Sequence, residues 1–356
     1  MKITKRFTFS CLASAVLLAS TAANAAYTIQ LTEEDSITFG GFIKVDYRHV
    51  DGNVGYKDFW IGGGTVLPED KSQTKFFANE SRINMKFVHG EVTGFVEMDF
   101  YGGGGNEVIS NSSHPRLRHA FIKYSDFTFG QTWTTFMNTS ALAETADFAG
   151  PMVGEAFVRN TMVRYKMGGL ELALENPESW GNDSIDDSPD ADSASDEVPD
   201  MVAKYTFSGD WGNVSVSGLV RQLNFDNGDD ETAVGASIAG RIKTFGKDDF
   251  RFQIHAGEIG RYVGVTAAPD VFNGEVEEST AFMAAYRHFW TEDTRSSVFY
   301  GYIETEESDR ERTHWGVNVF KNYTPKLSFG VEVGQFEMKD ADADSMYAQV
   351  SAKYVL

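Results

Sequence analysis

From Ile37 to the end of the chain, apolar and polar side chains alternate with a period of two, stretch after stretch. That period belongs to β-strands whose two faces meet different surroundings, because successive strand side chains point to opposite sides. In 37–48 the odd positions are Ile37, Phe39, Gly41, Ile43, Val45 and Tyr47, and the even ones include Lys44, Asp46 and Arg48. In 81–88, Ile83, Met85 and Phe87 alternate with Arg82, Asn84 and Lys86, and in 92–101, Val92, Val96, Met98 and Phe100 stand against Glu97 and Asp99. Further strands are expected at 116–124, 126–133, 158–166, 169–175, 201–207, 213–224, 232–243, 250–258, 279–290, 295–303, 313–321, 327–338 and 345–356, which makes sixteen. In 116–124 and 295–303 either parity can be read as apolar.

The connections alternate as well. Short ones at 89–90, 125–126, 167–169, 208–212, 245–249, 291–294 and 322–326 fall between longer ones at 51–79, 102–115, 134–157, 177–200, 225–231, 259–278, 304–312 and 339–344. An even number of strands with this wiring is the pattern of an all-β, sixteen-stranded antiparallel transmembrane barrel, with short periplasmic turns and long extracellular loops. Nothing beyond residue 26 approaches eighteen consecutive apolar positions, so helical spans are excluded. A spanning sheet must then close on itself, since hydrocarbon offers no partner to an open edge. Tyr47, Phe100, Tyr124, Trp133, Tyr165, Tyr205, Phe207, Tyr286, Trp290, Tyr300, Tyr302, Trp315 and Tyr354 sit where aromatic girdles belong.

The first residues read as an address. Lys2, Lys5 and Arg6 precede an uncharged stretch from Phe7 to Ala23 and the small-residue box Ala23-Asn24-Ala25. A signal peptide over 1–25 is expected, leaving 26–356 as one barrel domain exported to the outer membrane. The chain's one cysteine, Cys11, leaves with that segment.

Charge separates the wall from the loops. Over 356 residues, 52 acids against 31 bases give a formal net charge of −21, which excludes nucleic acid as a partner. Yet the parity opposite the apolar one carries Lys44, Arg48, Arg82, Lys86, Arg116, Arg118, Arg164, Lys204, Arg221, Arg241, Lys243, Arg251, Arg287, Arg295 and Lys353, against Asp46, Glu97, Asp99, Glu171, Glu175 and Glu332. A basic lumen wall favours partly desolvated anions. Ten of these, Lys44, Arg82, Lys86, Arg116, Arg118, Arg164, Arg221, Arg241, Arg251 and Arg287, form the expected pore-lining basic track. Most of the acidic surplus lies in loops, and 177–200 alone holds nine acids and no base. Without a calcium-loop pattern, that stretch reads as a solvated extracellular loop.

Loop 134–157 is unusual for a segment in water, with Phe136, Met137, Leu142, Phe148, Met152 and Val153. Folding into the barrel mouth would bury them and form a constriction. Its acids Glu144, Asp147 and Glu155 would then face the basic wall.

Signals for covalent chemistry are missing. Seven scattered histidines show no paired metal spacing, and no cofactor motif is present. His119 and His288 point outward by parity without a matching serine, which disfavours a barrel lipase or protease. The tetraglycine Gly102–Gly105 lacks the Lys-Ser/Thr of a phosphate loop and reads as a loop tip with no helix after it.

Several strings are similar to those of the DcaP-like porins of Gram-negative bacteria. They are Glu97–Glu107 (EMDFYGGGGNE), His114–Phe121 (HPRLRHAF), Phe129–Phe136, Gly150–Arg159 (GPMVGEAFVR), Leu174–Pro177 and Gly260–Gly264. The resemblance spans nearly the whole chain after the leader. It implies a trimeric sixteen-stranded porin taking up small anionic solutes, dicarboxylates among them, with Arg116 and Arg118 in the lumen. In two places the chain departs from the pattern: only about ten residues (27–36) precede the first expected strand, where better-known members carry an extension, and the chain ends in Leu356, with Tyr354 keeping the third-from-last aromatic. A trimer would then rest on barrel walls and loops amid outer-membrane lipid and lipopolysaccharide. A general or sugar-preferring pore is the alternative.

Overall fold

The computed structural model describes residues 27–148, 150–181 and 188–356. The expected leader and residues 182–187 of the acidic segment lie outside the described residues. The strands are β1 (Tyr27–Gln30), β2 (Asp35–Val54), β3 (Val66–Phe77), β4 (Arg82–His89), β5 (Val92–Asp99), β6 (Arg116–Tyr124), β7 (Phe127–Trp133), β8 (Arg159–Met167), β9 (Leu170–Glu175) and β10 (Asp200–Gly209). They continue as β11 (Gly212–Asn224), β12 (Asp230–Lys243), β13 (Asp249–Gly257), β14 (Val271–Phe272), β15 (Glu275–Val276), β16 (Ser279–Phe289), β17 (Thr294–Thr305), β18 (Glu311–Asn322), β19 (Leu327–Met338) and β20 (Ala343–Val355).

Neighbours pair antiparallel around a ring that closes where β2 meets β20, from Phe42↔Val355 to Gly52↔Ser345. On its other side β2 pairs with β4 (Asp35↔His89 to Phe42↔Arg82) and then with β3 (Asp46↔Phe77 to Val54↔Val66). So β3 and β4 cross as one strand interrupted at 78–81. The large sheet has eighteen strands; counting β3 and β4 together and setting the short β1 aside, sixteen form the closed barrel. Gly41 stands beside that interruption with φ +128°, and a Cβ there would meet the Arg82 carbonyl oxygen at 2.1 Å, so the bend of β2 requires glycine.

The alternation does what hydrocarbon demands. Along β2, Ile43 and Val45 are exposed on the outside, while Lys44, Asp46 and Arg48 are buried within. Ile122, Phe129, Val163, Leu174, Val216, Ile238, Ile254, Val298, Val331 and Val350 continue the outer apolar band around the ring.

Three sequence expectations change. The segment 51–79 is mostly strand, leaving a loop at 55–65 and the start of the interruption at 78–79. Val66–Phe77 shows no alternation because it is exposed along most of its length, so its ladder with β2 forms without a hydrocarbon-facing side. Before the first expected strand, β1 pairs Tyr27↔Phe39 to Gln30↔Ser36. On β6 a bulge shifts the register, with Glu97 opposite His119 and Met98 opposite Leu117. The extra residue lets both Arg118 and His119 face inward, since a bulge moves the side-chain phase by one. His119, expected outside, is therefore buried, with Nδ1 3.1 Å from the Thr132 hydroxyl.

Among the described residues, loop 134–157 folds into the barrel as expected, together with 55–65 and 258–278. Their apolar residues meet the inner wall in one core containing Trp60, Phe136, Met137, Val153, Ile259, Tyr262, Val263, Leu219, Ile303, Phe336 and Tyr347. Trp60 stacks on Phe336 at 4.9 Å and 8°. The 3-10 turn Met152–Gly154 packs on β16 and β17, where a Cβ on Gly154 would meet the Phe282 carbonyl at 2.0 Å. Residues Ala156 and Val263 form a bridge between two of the loops. After the tetraglycine a single helical turn, Glu107–Ser110, does follow, its first turn capped by the Asn106 side chain; the loop-tip reading had excluded it.

Candidate functional site

The inward loop 134–157 is pinned to one side of the barrel. Asn138 Nδ2 donates to Asn213 Oδ1 and Ser215 Oγ at 3.0 Å and to the Ala239 carbonyl at 3.1 Å. Ser217 Oγ donates to the Phe136 carbonyl at 3.1 Å. Farther along, the Ala146 and Asp147 N–H groups donate to Glu332 at 2.7 and 3.1 Å, and Gln349 and Lys44 both donate to the Ala146 carbonyl at 2.7 Å. These partners lie on β11, β12, β19, β20 and β2. The inner face of β4 to β8 carries fewer such anchors and keeps more of its charge free.

The loop's three acids meet different fates. Glu144 bonds to Arg287 at 3.0 Å and Arg295 at 2.6 Å. Burial opposes its ionisation, but the two guanidiniums override it and hold the carboxyl at about 2. Asp147 is sequestered with Arg48 (2.8 Å) and accepts from the Trp60 N–H at 3.3 Å. Glu155 has no cation partner among the described residues, and burial pushes its carboxyl up to about 8. Only Glu144 keeps partial exposure (18% of its side chain), so the field across the mouth comes mainly from the wall.

The ten expected basic residues divide by burial. Lys44, Arg118, Arg221 and Arg287 are at most 4% exposed and act as anchors. Lys44 bridges Glu80 and Asp46, Arg118 binds Glu97 and Asp99, Arg221 binds Asp200 and Asp270, and Arg287 binds Asp249 and Glu144. Arg116 forks onto Asp99 (3.0 and 2.7 Å), Arg241 and Arg251 reach Asp249 (3.0 and 2.6 Å), and Arg164 holds the start of the inward loop through Thr135 Oγ1 and the Trp133 carbonyl. Lys86 is exposed in the lumen and Arg82 half-buried.

Two rings gather the arginines of the less-filled side. Arg82, Arg116 and Arg118 place their guanidinium carbons 5.5, 5.8 and 5.5 Å from the Phe148 ring. Arg118 and Arg159 lie 5.8 and 4.8 Å from the ring of Trp133, which packs on Phe157 and so leaves the girdle to which its parity had assigned it. Such contacts hold a cation beside an apolar surface without cancelling its charge. Arg82 and Arg159 make no hydrogen bond or ion pair among the described residues.

Four carboxylates are each shared by more than one cation. Asp99 serves Arg116 and Arg118; Glu171 serves Lys166 and Lys204; Asp249 serves Arg241, Arg251 and Arg287; Glu144 serves Arg287 and Arg295. Sequence parity missed Arg159, at the first residue of β8, and Lys123, hidden by the β6 bulge. It also missed Arg261 and Tyr262 in the second large inward loop, which bind Asp200 at 3.1 and 2.8 Å. The apolar run Ile259, Tyr262, Val263 and Val265 was the available signal, the same one that marked 134–157. Among the described residues no group of three or more His, Cys, Asp or Glu could hold a metal ion.

Comparison with known proteins adds the lineage. The crystal structure of the outer membrane channel DcaP of Acinetobacter baumannii is similar over 92% of this chain and 99% of that one, with 21% identity and a TM-score of 0.77. The anion-selective porin from Comamonas acidovorans shares the fold at 11% identity and a TM-score of 0.61, covering 91% of this chain and 100% of that one. The trimer form of OmpT, an outer membrane protein of Vibrio cholerae, does so at 13% identity and a TM-score of 0.57, with coverage of 91% and 100%. No curated protein sequence matches the chain. The family model described as DcaP outer membrane protein matches residues 22–332, and the chain belongs to that family.

Proposed function

We propose that this outer-membrane channel, through which small hydrophilic solutes diffuse passively, prefers organic anions, dicarboxylates among them. One observation carries the preference: Asp99, Glu171 and Asp249 on the lumen wall and Glu144 on the inward loop are each shared by two or three cations. A solute carboxylate entering from water meets guanidinium and ammonium donors whose charge the wall's own acids only partly offset, and a second carboxylate on the same solute gains again. Arg82, Arg116 and Arg159 hold the entering anion, and the inward loop narrows the path so that the solute cannot keep its full hydration shell. A homotrimer, with contacts through barrel walls and loops, fits the trimeric form recorded for OmpT. Export through a cleaved leader completes the reading, and N-terminal sequencing of purified protein starting at Ala26 would accord with it.

The decisive measurement is the reversal potential of single channels in a KCl gradient. Anion preference is expected; a potential of the opposite sign removes it. A sugar-preferring pore draws on the ring cluster Phe59, Tyr101, Phe148 and Phe157 beside the path. Liposome swelling separates the two, since a sugar pore would admit neutral hexoses faster than dicarboxylates of similar size.

A further inference from the structure

The arginine group lies at the long-loop end of β4 to β8. Toward the short-turn end the same wall carries a second collection of cations, gathered around a pair of rings. Lys86 is opposite Phe95, Phe95 is opposite Phe121, and the two ring centroids are 5.4 Å apart. Lys123 follows two residues later on β6, with its Nζ 5.4 Å from the Phe121 ring. In the next register Lys123 faces Thr128, and Thr128 faces Arg164. Beyond them Lys166 and Lys204 share Glu171 at 3.2 and 2.7 Å. Of these five cations only Lys166 and Lys204 are ion-paired among the described residues, both with Glu171. Arg164 is committed to the Trp133 carbonyl and the Thr135 hydroxyl, and Lys204 to the Met137 carbonyl of the inward loop. Lys86 and Lys123 are exposed to the lumen and make no hydrogen bond or ion pair among the described residues.

From Arg82 to Lys86 the wall descends four residues, roughly 13 Å of strand. Between the two levels stand Asn84 and Glu97, hydrogen-bonded at 3.2 Å, so a small dianion leaving the arginines passes an acid and meets cations again at Lys86, level with Phe95, and at Lys123, beyond Phe121. A pore conducts when binding is favourable enough to admit a solute and divided among sites so that no single one retains it. We propose that Lys86 and Lys123 form a second anion-binding station, flanking the Phe95–Phe121 ring pair, that receives small carboxylate solutes released by the arginine group. This rests on the anion preference proposed above and adds to it a site that lowers the barrier to exit.

The test is unitary conductance in sodium succinate, recorded beside the KCl reversal potential, for wild type and for Lys86→Gln/Lys123→Gln. Both side chains are exposed, so the barrel is expected to fold, and retained heat-modifiable migration on gels checks this. The double variant should conduct succinate about threefold less than wild type while its reversal potential still indicates anions, because the arginines remain. Lys86→Arg/Lys123→Arg should restore the conductance. Unchanged succinate conductance in an anion-selective double variant would overturn the station and leave the proposed function standing. An equal fractional loss in succinate and in KCl would also overturn it, since that signals altered pore size. A cation-preferring wild type would sink both.

Discussion

Two sides of one barrel interior use the same alternating strands for opposite ends. Along β10 to β20 the inward side chains meet loops 134–157 and 258–278, and the result resembles a soluble protein's core, with stacked rings, satisfied amides and ion pairs out of water. Along β4 to β8 the inward side chains include arginines held against Phe148 and Trp133 and lysines open to the lumen. Facing inward therefore fixes only which side of the wall a residue occupies. Whether it packs or is solvated depends on which loops return to cover it.

Breaking the packed side should give the largest effect. Trp60→Ala removes a ring that is 1% exposed and stacked on Phe336, at a cost of about 3–5 kcal/mol. Thermal unfolding in detergent should shift down, and channel current should become noisier as loop 134–157 loosens. An unchanged melting temperature would deny the interior core its role. Across the barrel, Arg118→Ala and Arg82→Gln sharpen the contrast. The first strands Glu97 and Asp99 beside a buried gap and should cost about 3–5 kcal/mol. The second removes an unpaired cation, should stay within about 1 kcal/mol, and should lower anion-over-cation permeability about twofold. Equal stability losses in the two variants would erase the distinction between anchor and track.

The smallest effect concerns pH. Burial raises the Glu155 carboxyl from its ordinary 4.5 to about 8 in the folded protein. A raised acid binds its proton more tightly when folded, so its contribution is whole below about 4.5 and is lost as the pH climbs through about 8. Between about pH 6 and 9 the melting temperature should fall by a few degrees, and Glu155→Gln, which cannot ionise, should flatten that slope. A slope identical in the variant would assign the pH dependence to other groups.

The strand count, the barrel and the inward third loop were legible because hydrocarbon imposes a period of two and because Phe136, Met152 and Val153 are costly to leave in water. The polar strand Val66–Phe77 was not, since no apolar face marks it. The bulge on β6 opposite Glu97 and Met98 was equally silent, as one extra residue leaves composition unchanged while turning His119 inward beside Arg118. Parity placed Arg118 and Arg221 on the correct side of the wall. It could not say that Asp99 and Asp270 would bury them, because those contacts join residues that sequence keeps far apart. Arg159 escaped for the opposite reason: at the first residue of its strand, no neighbouring pattern constrains it.

Where β2 meets β20, the ring has its weld. The contact includes Gln349 donating to Asp46, 303 residues earlier. β20 ends its pairing at Val355 opposite Phe42, and Tyr27–Gln30 takes up the same flank of β2 opposite residues 36–39. Until the last strand has emerged, the first has no lasting neighbour on that flank, and the entropy of bringing such distant segments together falls on a single late event. The short β1 lengthens the zipper at its periplasmic foot, so deleting it should slow refolding into detergent more than it lowers the final melting temperature.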